Sequence, residues 1–222
     1  MSEEVLIPKM TRIDKTKRRK IKIPMLNVVI ILFCTLLLIA STFVNIEIRH
    51  YIVPFGLFSD KDLTPDDFIY TFSLIPQIPT LMFICSTLGK RMALTSTIIY
   101  ILIGLFVFPV FALGGGFRYI AQYGFGYIIA YIPAVLLAGK FLENKYSFGN
   151  MIKATLTGVL TIHIIGIFYM TFIVLIKHSG APFISGWINA QSGLKIVYDL
   201  IASFVLILIG KYLHSGLKYI IE

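Results

Sequence analysis

Charge is scarce in this chain, and cysteine scarcer. Asp, Glu, Lys and Arg together supply 14% of the 222 residues, whereas 57% are hydrophobic. A soluble domain of this length has too little interior to hide so much apolar surface. The composition therefore excludes an ordinary soluble globule and points to an integral membrane protein. Two cysteines, Cys34 and Cys85, sit inside apolar runs with no CxxC or Cys/His ligand spacing around them. They read as small buried hydrophobes. Walker A, HExxH and GxSxG patterns are missing, as is any pair of acidic residues within one apolar span. Their absence argues against an intramembrane enzyme. The halves do not echo each other in proline and glycine placement, which speaks against a self-sufficient transporter built on inverted repeats. No removable signal peptide is evident, since the apolar run 24–46 is too long and lacks a small-residue cleavage pattern after it.

What is present is a series of apolar segments near the ~20 residues needed to cross a bilayer. They cover approximately 24–46, 68–88, 93–112, 124–142, 152–176 and 190–213. The expected fold is an all-α membrane protein, a bundle of about six transmembrane helices over residues 24–213. A basic cytoplasmic tail, 1–23, precedes it, and a short cytoplasmic tail, 214–222, follows. Pro76 and Pro79 flank Gln77 in the second segment and predict a broken or kinked helix there, whose freed backbone groups need protein, water or ligand partners.

Cation placement sets the orientation. Of the 20 Lys and Arg, fifteen fall on one side if the N-terminus is cytoplasmic: eight in the tail, then Lys90, Arg91, Lys140, Lys145, Lys153, Lys211 and Lys218. Arg49, Lys61, Arg118 and Lys177 fall on the other side, and Lys195 lies within the last span. This bias predicts an N-in, C-in bundle. It also explains the net charge of +9 without nucleic acid, and the basic tail is expected to be drawn to anionic lipid. Three loops then face outward, roughly 47–67, 113–123 and 177–189.

The stretch 108–140 carries the most chemistry. Two membrane-length segments meet there at a glycine triplet, Gly114, Gly115 and Gly116, followed by Arg118, Tyr119, Gln122, Tyr123 and Tyr127. Glycine allows close backbone approach, aromatic rings supply flat apolar walls, and Arg118 can offer a carboxylate two parallel hydrogen bonds. That inventory suits a small, flat, partly apolar anion; a tightly packed loop is the bland alternative. Lys195 and Asp199 are one helical turn apart, where they either neutralise each other or meet a ligand. Asn189 and Gln191 add amides just before them. His163, in mid-span, reads more readily as a neutral imidazole bonded to a neighbouring helix than as a ligand or proton carrier.

Taken together, these pieces resemble a known family, the biotin-specific, BioY-type substrate-binding membrane subunit (S component) of energy-coupling-factor (ECF) transporters. The resemblance rests on Ile75-Pro76-Gln77-Ile78-Pro79, on Leu88-Gly89-Lys90-Arg91 as a tight inner turn, and on the run from Tyr100 to Phe111. It continues through Gly114-Gly115-Gly116 and Gly126-Tyr127 into Ile132-Pro133-Ala134 and Gly139. The family's Pro-Thr-Gly-Gly-Tyr run stands here as Tyr123-Gly124-Phe125-Gly126-Tyr127. Its Asp-x-x-Lys is matched at Lys195, but the acidic position falls on Ser192, with Asp199 one turn further along.

The resemblance implies six helices and a vitamin site near the external face, under loops 1, 3 and 5. It also implies energising by a separate coupling membrane protein and a pair of cytoplasmic ATPases. Biotin is then the transported ligand and no cofactor is involved; self-association stays open. Biotin needs a cation for its carboxylate, polar groups for its ureido ring and apolar walls for its thiophane. Arg118 or Lys195, then Gln77, Gln122 and Asp199, then Tyr119, Tyr127 and Trp187 are the candidates, with Gly114, Gly115 and Gly116 as hinges of a closing loop. An S component for another vitamin and a non-transport membrane scaffold are the alternatives.

Overall fold

A computed structural model describes residues 25–54, 64–144, 147–178 and 180–221. The basic tail 1–23, Lys61 and Lys145 lie outside the described residues. The first helix, α1 (Met25–Thr42), is apolar on every side, and it buries Cys34, Thr35, Leu38, Ser41 and Thr42. That spacing is a helical stripe. Ile30, Leu37 and Ile39 are half-buried against the core, whereas others, among them Phe33 and Leu36, stay exposed, as suits a lipid-facing helix.

The chain then departs from the all-α expectation. Strands β1 (Ile46–Tyr51) and β2 (Ile69–Leu74) pair antiparallel, with Ile46 opposite Leu74 and Tyr51 opposite Ile69. Thus the segment expected to be helical from 68 starts as a strand. Tyr70, Phe72 and Leu74 alternate with Thr71 and Ser73, a period of two that fits a half-buried strand. Phe72 and Leu74 are the buried members. The hairpin is tied down by His50, which stacks on Phe72 and is hydrogen-bonded through Nε2 to the Tyr198 hydroxyl.

Pro76 ends the strand and stands at the N-cap of α2 (Gln77–Leu88). Pro79 is tolerated because the first turn of a helix has no acceptor for its N–H in any case. The two prolines therefore start a short helix at the place where a broken or kinked one was expected. Helix α2 is enclosed, with nine of its residues buried. It turns directly into α3 (Lys90–Phe106) through Gly89, whose φ of +82° favours glycine and makes the tight turn expected of it.

A loop and a 3-10 turn (Phe117–Ala121) lead to the short α4 (Phe125–Ile129), which runs on through Ala130, itself in right-handed helical conformation, into α5 (Tyr131–Asn144). Helix α6 (Phe148–Lys177) opens on a Ser147 cap that accepts from the Asn150 N–H. At 30 residues it is about 45 Å long, more than a hydrocarbon core needs. Helix α7 (Ala181–Ser192), most of it in the segment expected as an outer loop, and helix α8 (Lys195–Ile221) are separated by a break at Gly193, so the last expected span begins at the end of α7 and lies mainly in α8. Helix α8 also continues through most of the segment expected as a C-terminal tail.

Helix α2 packs on α8, α5 on α6 and α1 on α3. The contacts are close. A Cβ on Gly210 of α8 would stand 2.0 Å from Ser86 Oγ, and one on Gly158 of α6 would stand 2.6 Å from Met82 Sδ. Among the described residues, four helical stretches are long and apolar enough to cross a membrane: Met25–Thr42, Phe125–Glu143, Phe148–Lys177 and Ala181–Gly216.

Candidate functional site

Several element starts converge on one hollow. Gln77 opens α2, Tyr131 opens α5 and Lys195 opens α8, and all three line a cavity of about 120 Å³. That is roughly eight times the room one water requires, enough for a group larger than trapped solvent. Ile75, Ile78 and Ile128 make apolar walls, Tyr119 and Tyr127 aromatic ones, and His163 lines it from mid-α6. Ala112, Leu113 and Gly124 border it from the glycine-rich loop, and Trp187 and Gln191 from α7. The helix starts at Gln77 and Lys195 bring the positive ends of two helix dipoles toward it. Together with the Lys195 ammonium they make one part of the hollow suited to an anion.

A cluster of rings stands over this part. Tyr123 lies 4.6 Å from Phe183 and 5.6 Å from Trp187 between ring centroids, and Lys177 Nζ sits 4.6 Å from the centre of the Tyr123 ring. Trp187 Nε1 is buried without an acceptor among the described residues, so its N–H is available to a bound molecule. Tyr119 forms a deeper wall against Phe111 and Phe125. Burial, followed by the neighbouring Tyr100 phenol, pushes the Tyr119 hydroxyl up to about 12, so it remains a neutral phenol.

Below the walls run two buried polar networks. In one, Thr42 donates to the Leu38 carbonyl and accepts from Gln77 Nε2 at 2.8 Å. Gln77 Nε2 also reaches Tyr100 at 2.6 Å, and Gln77 Oε1 accepts from the Tyr131 hydroxyl at 2.8 Å. In the other, Tyr127 OH lies 2.8 Å from Ser192 Oγ. His163 Nδ1 lies 2.9 Å from the same oxygen, and His163 Nε2 lies 3.2 Å from Asp199 Oδ2. His163 and Asp199 are 2% and 0% exposed, so solvent does not compete for these bonds.

Of the residues expected at the site, Gln77, Tyr119, Tyr127, Lys195 and Trp187 line the hollow. Arg118 and Gln122 are exposed and outside its lining. Gly114 accepts from and donates to the Phe111 backbone, and the Gly116 N–H donates to the Gly104 carbonyl. Gly115 and Gly116 border a separate shallow hollow with Leu105–Pro109. The glycine triplet thus folds the loop back onto the end of α3 and does not touch the main cavity. Asp199 lies behind the wall, where its Oδ2 meets His163 at hydrogen-bond distance while its charge also acts on Lys195, its expected partner.

His163 behaves as its mid-span position predicts, bonded to neighbouring helices. Its bridging of Ser192 and Asp199 brings the position where the resembled family carries an acid together with the acid this chain has. Tyr131, absent from the residues the sequence points to, also lines the hollow, and its spacing of four from Tyr127 is the signal that places it on the same helical face.

The chain matches the sequence model of the BioY family over residues 68–219. It is 29% identical over 138 residues to a probable biotin transporter BioY of Lysinibacillus sphaericus, covering 59% of this chain and 65% of that one. It is 46% identical over 59 residues to a putative biotin transporter BioYB of Bacillus subtilis strain 168, covering 26% and 30%. The chain therefore spans less than two thirds of either relative's length. A crystal structure of the S component for biotin from an ECF-type ABC transporter superposes with a TM-score of 0.61 at 21% identity. That match covers 86% of this chain and 92% of the other, a likeness of fold.

Proposed function

Because the chain belongs to the BioY family, we propose that it captures biotin as the substrate-binding subunit of an ECF-type transporter. Its work is binding and translocation, not catalysis. Six helical spans in the plasma membrane, α1, α2, α3, α4 with α5, α6 and α8, place both termini in the cytosol. A coupling membrane protein and an ATPase pair energise it from that side. The cavity opens toward the loops that the cation bias puts outside, and biotin enters there.

One observation carries this reading. A single hollow holds an ammonium (Lys195), a free indole N–H (Trp187), three phenols and three isoleucines, the partners a carboxylate, a ureido ring and a thiophane need. Lys195, and not the exposed Arg118, meets the carboxylate. Tyr119 and the isoleucines flank the fused rings, and Gln77, at the wall, and Asp199, behind it, act through the phenols they position. The glycine triplet hinges the loop whose residues Ala112 and Leu113 border the hollow.

The test is thermal unfolding of the detergent-solubilised full chain with biotin, riboflavin or thiamine. A ligand held only by the folded state raises the midpoint. Biotin alone is expected to do so. A rise with another vitamin instead makes the chain an S component of different specificity, and no rise with any of them favours the scaffold.

A further inference from the structure

Two of the cavity phenols end hydrogen-bond chains whose direction is set from the far end. The first chain starts at the Leu38 carbonyl, which can only accept. Thr42 donates its hydrogen there at 3.0 Å, so its oxygen accepts from Gln77 Nε2. That fixes the amide orientation and turns Gln77 Oε1 toward Tyr131, whose hydroxyl must donate to it. The second chain starts at Asp199. A carboxylate only accepts, so a neutral His163 carries its hydrogen on Nε2 and presents a lone pair at Nδ1. Ser192 donates to that lone pair and accepts from Tyr127.

We propose that these chains lock Tyr127 and Tyr131 as hydrogen-bond acceptors toward the cavity, and that the pair selects a ligand edge bearing two N–H donors. The inference rests on the biotin reading for its ligand, a cyclic urea with an N–H on either side of its carbonyl. Residues 127 and 131 are four apart on a helical path continuous through Ala130, so both oxygens stand on one face. With each phenol hydrogen committed inward, what remains for the cavity is lone pairs. A ligand offering oxygen or an alkylated nitrogen there sets acceptor or methyl against acceptor, and buried acceptors left unpaired weaken binding. Asp199, His163, Ser192 and Gln77 are then positioning residues, acting on the ligand through the phenols.

The full chain in lipid nanodiscs tests this, with biotin and with biotin methylated at one or the other ureido nitrogen. Wild type is expected to bind biotin at least about tenfold more tightly than either methyl analogue. Tyr127→Phe abolishes the discrimination against one isomer, and Tyr131→Phe against the other. Asp199→Asn is the diagnostic variant. Its amide can donate to Nε2, so the imidazole hydrogen moves to Nδ1, the chain reverses and Tyr127 becomes a donor to the cavity. Its discrimination should then match that of Tyr127→Phe and leave the Tyr131 isomer untouched. Histidine 15N shifts, assigned with His163→Gln, are expected to show Nε2–H in wild type and Nδ1–H in Asp199→Asn. Imidazolium or Nδ1–H in wild type, or discrimination surviving both phenylalanine variants, overturns the proposal. Failure of wild type to bind biotin at all sinks the biotin reading, while the tautomer measurement still decides the polarity of Tyr127.

Discussion

At the scale of the residue, Lys195 and Arg118 separate by location. Both are cations at the same end of the bundle as the glycine-rich loop, yet one lines the hollow and the other is exposed outside it. A charge-assisted hydrogen bond contributes about 1.5–3 kcal/mol, or roughly 10- to 150-fold in affinity. Lys195→Ala should weaken biotin binding by that order in an equilibrium binding assay, and Arg118→Ala should leave it within about threefold, the range of a distant surface charge. A large loss at Arg118 alone would move the carboxylate end of the site to the loop. Tyr119 gives a pH prediction. Its folded-state value near 12 lies above the ordinary phenol value of 10.0. The unfolded chain therefore loses this proton first, and the stability of the folded state declines as pH rises from about 10 to about 12. Tyr119→Phe should flatten part of that decline in unfolding midpoints, with no change between pH 6 and 9. Sequence alone exposed Lys195, Asp199 and Gln77 as polar groups in apolar runs. It could not show that Asp199 and Ser192 meet on His163, because those partners lie 36 and 29 residues away.

At the scale of the element, helix ends written in local residue chemistry were legible, and those decided by tertiary contacts were not. Gly89 and the Pro76–Pro79 pair marked a tight turn and a helix boundary, and both are where such residues act through backbone geometry. The β1–β2 hairpin was hidden because a hydropathy window cannot tell an apolar strand from the start of a span. Only the two-residue alternation of Tyr70, Phe72 and Leu74 announced it. The end of α3 depends on packing. Gly104 accepts the Phe111 ring so closely that an added Cβ would stand 2.1 Å from it. Gly104→Val should therefore displace the 107–116 loop, costing about 1–3 kcal/mol as other overpacked sites do. It should lower the unfolding midpoint by several degrees, whereas Gly149→Val, with nothing within 4 Å, should not.

At the scale of the whole molecule, many large apolar side chains are exposed. Leu102, Phe168, Phe172, Leu175, Ile201 and Val205 stand outward along the long helices, as lipid contact requires and a soluble surface forbids. Composition and cation bias made this arrangement legible, because both follow from the bilayer alone. The orientation they imply is open to direct measurement. A cysteine at Gly186 of α7 should react with an impermeant maleimide from outside intact cells, and one at Gly149 of α6 only after lysis. The reverse pattern would invert the bundle and remove the entrance proposed for biotin. Both positions have open space around the Cα, whereas a side chain at Gly115 would run into the Pro109 backbone at 2.5 Å. The experiment needs no prior engineering, because Cys34 and Cys85 are free but sealed between helices. The wild-type chain is in effect already silent to aqueous thiol reagents, so each introduced sulfur reports its own side of the membrane against a blank background.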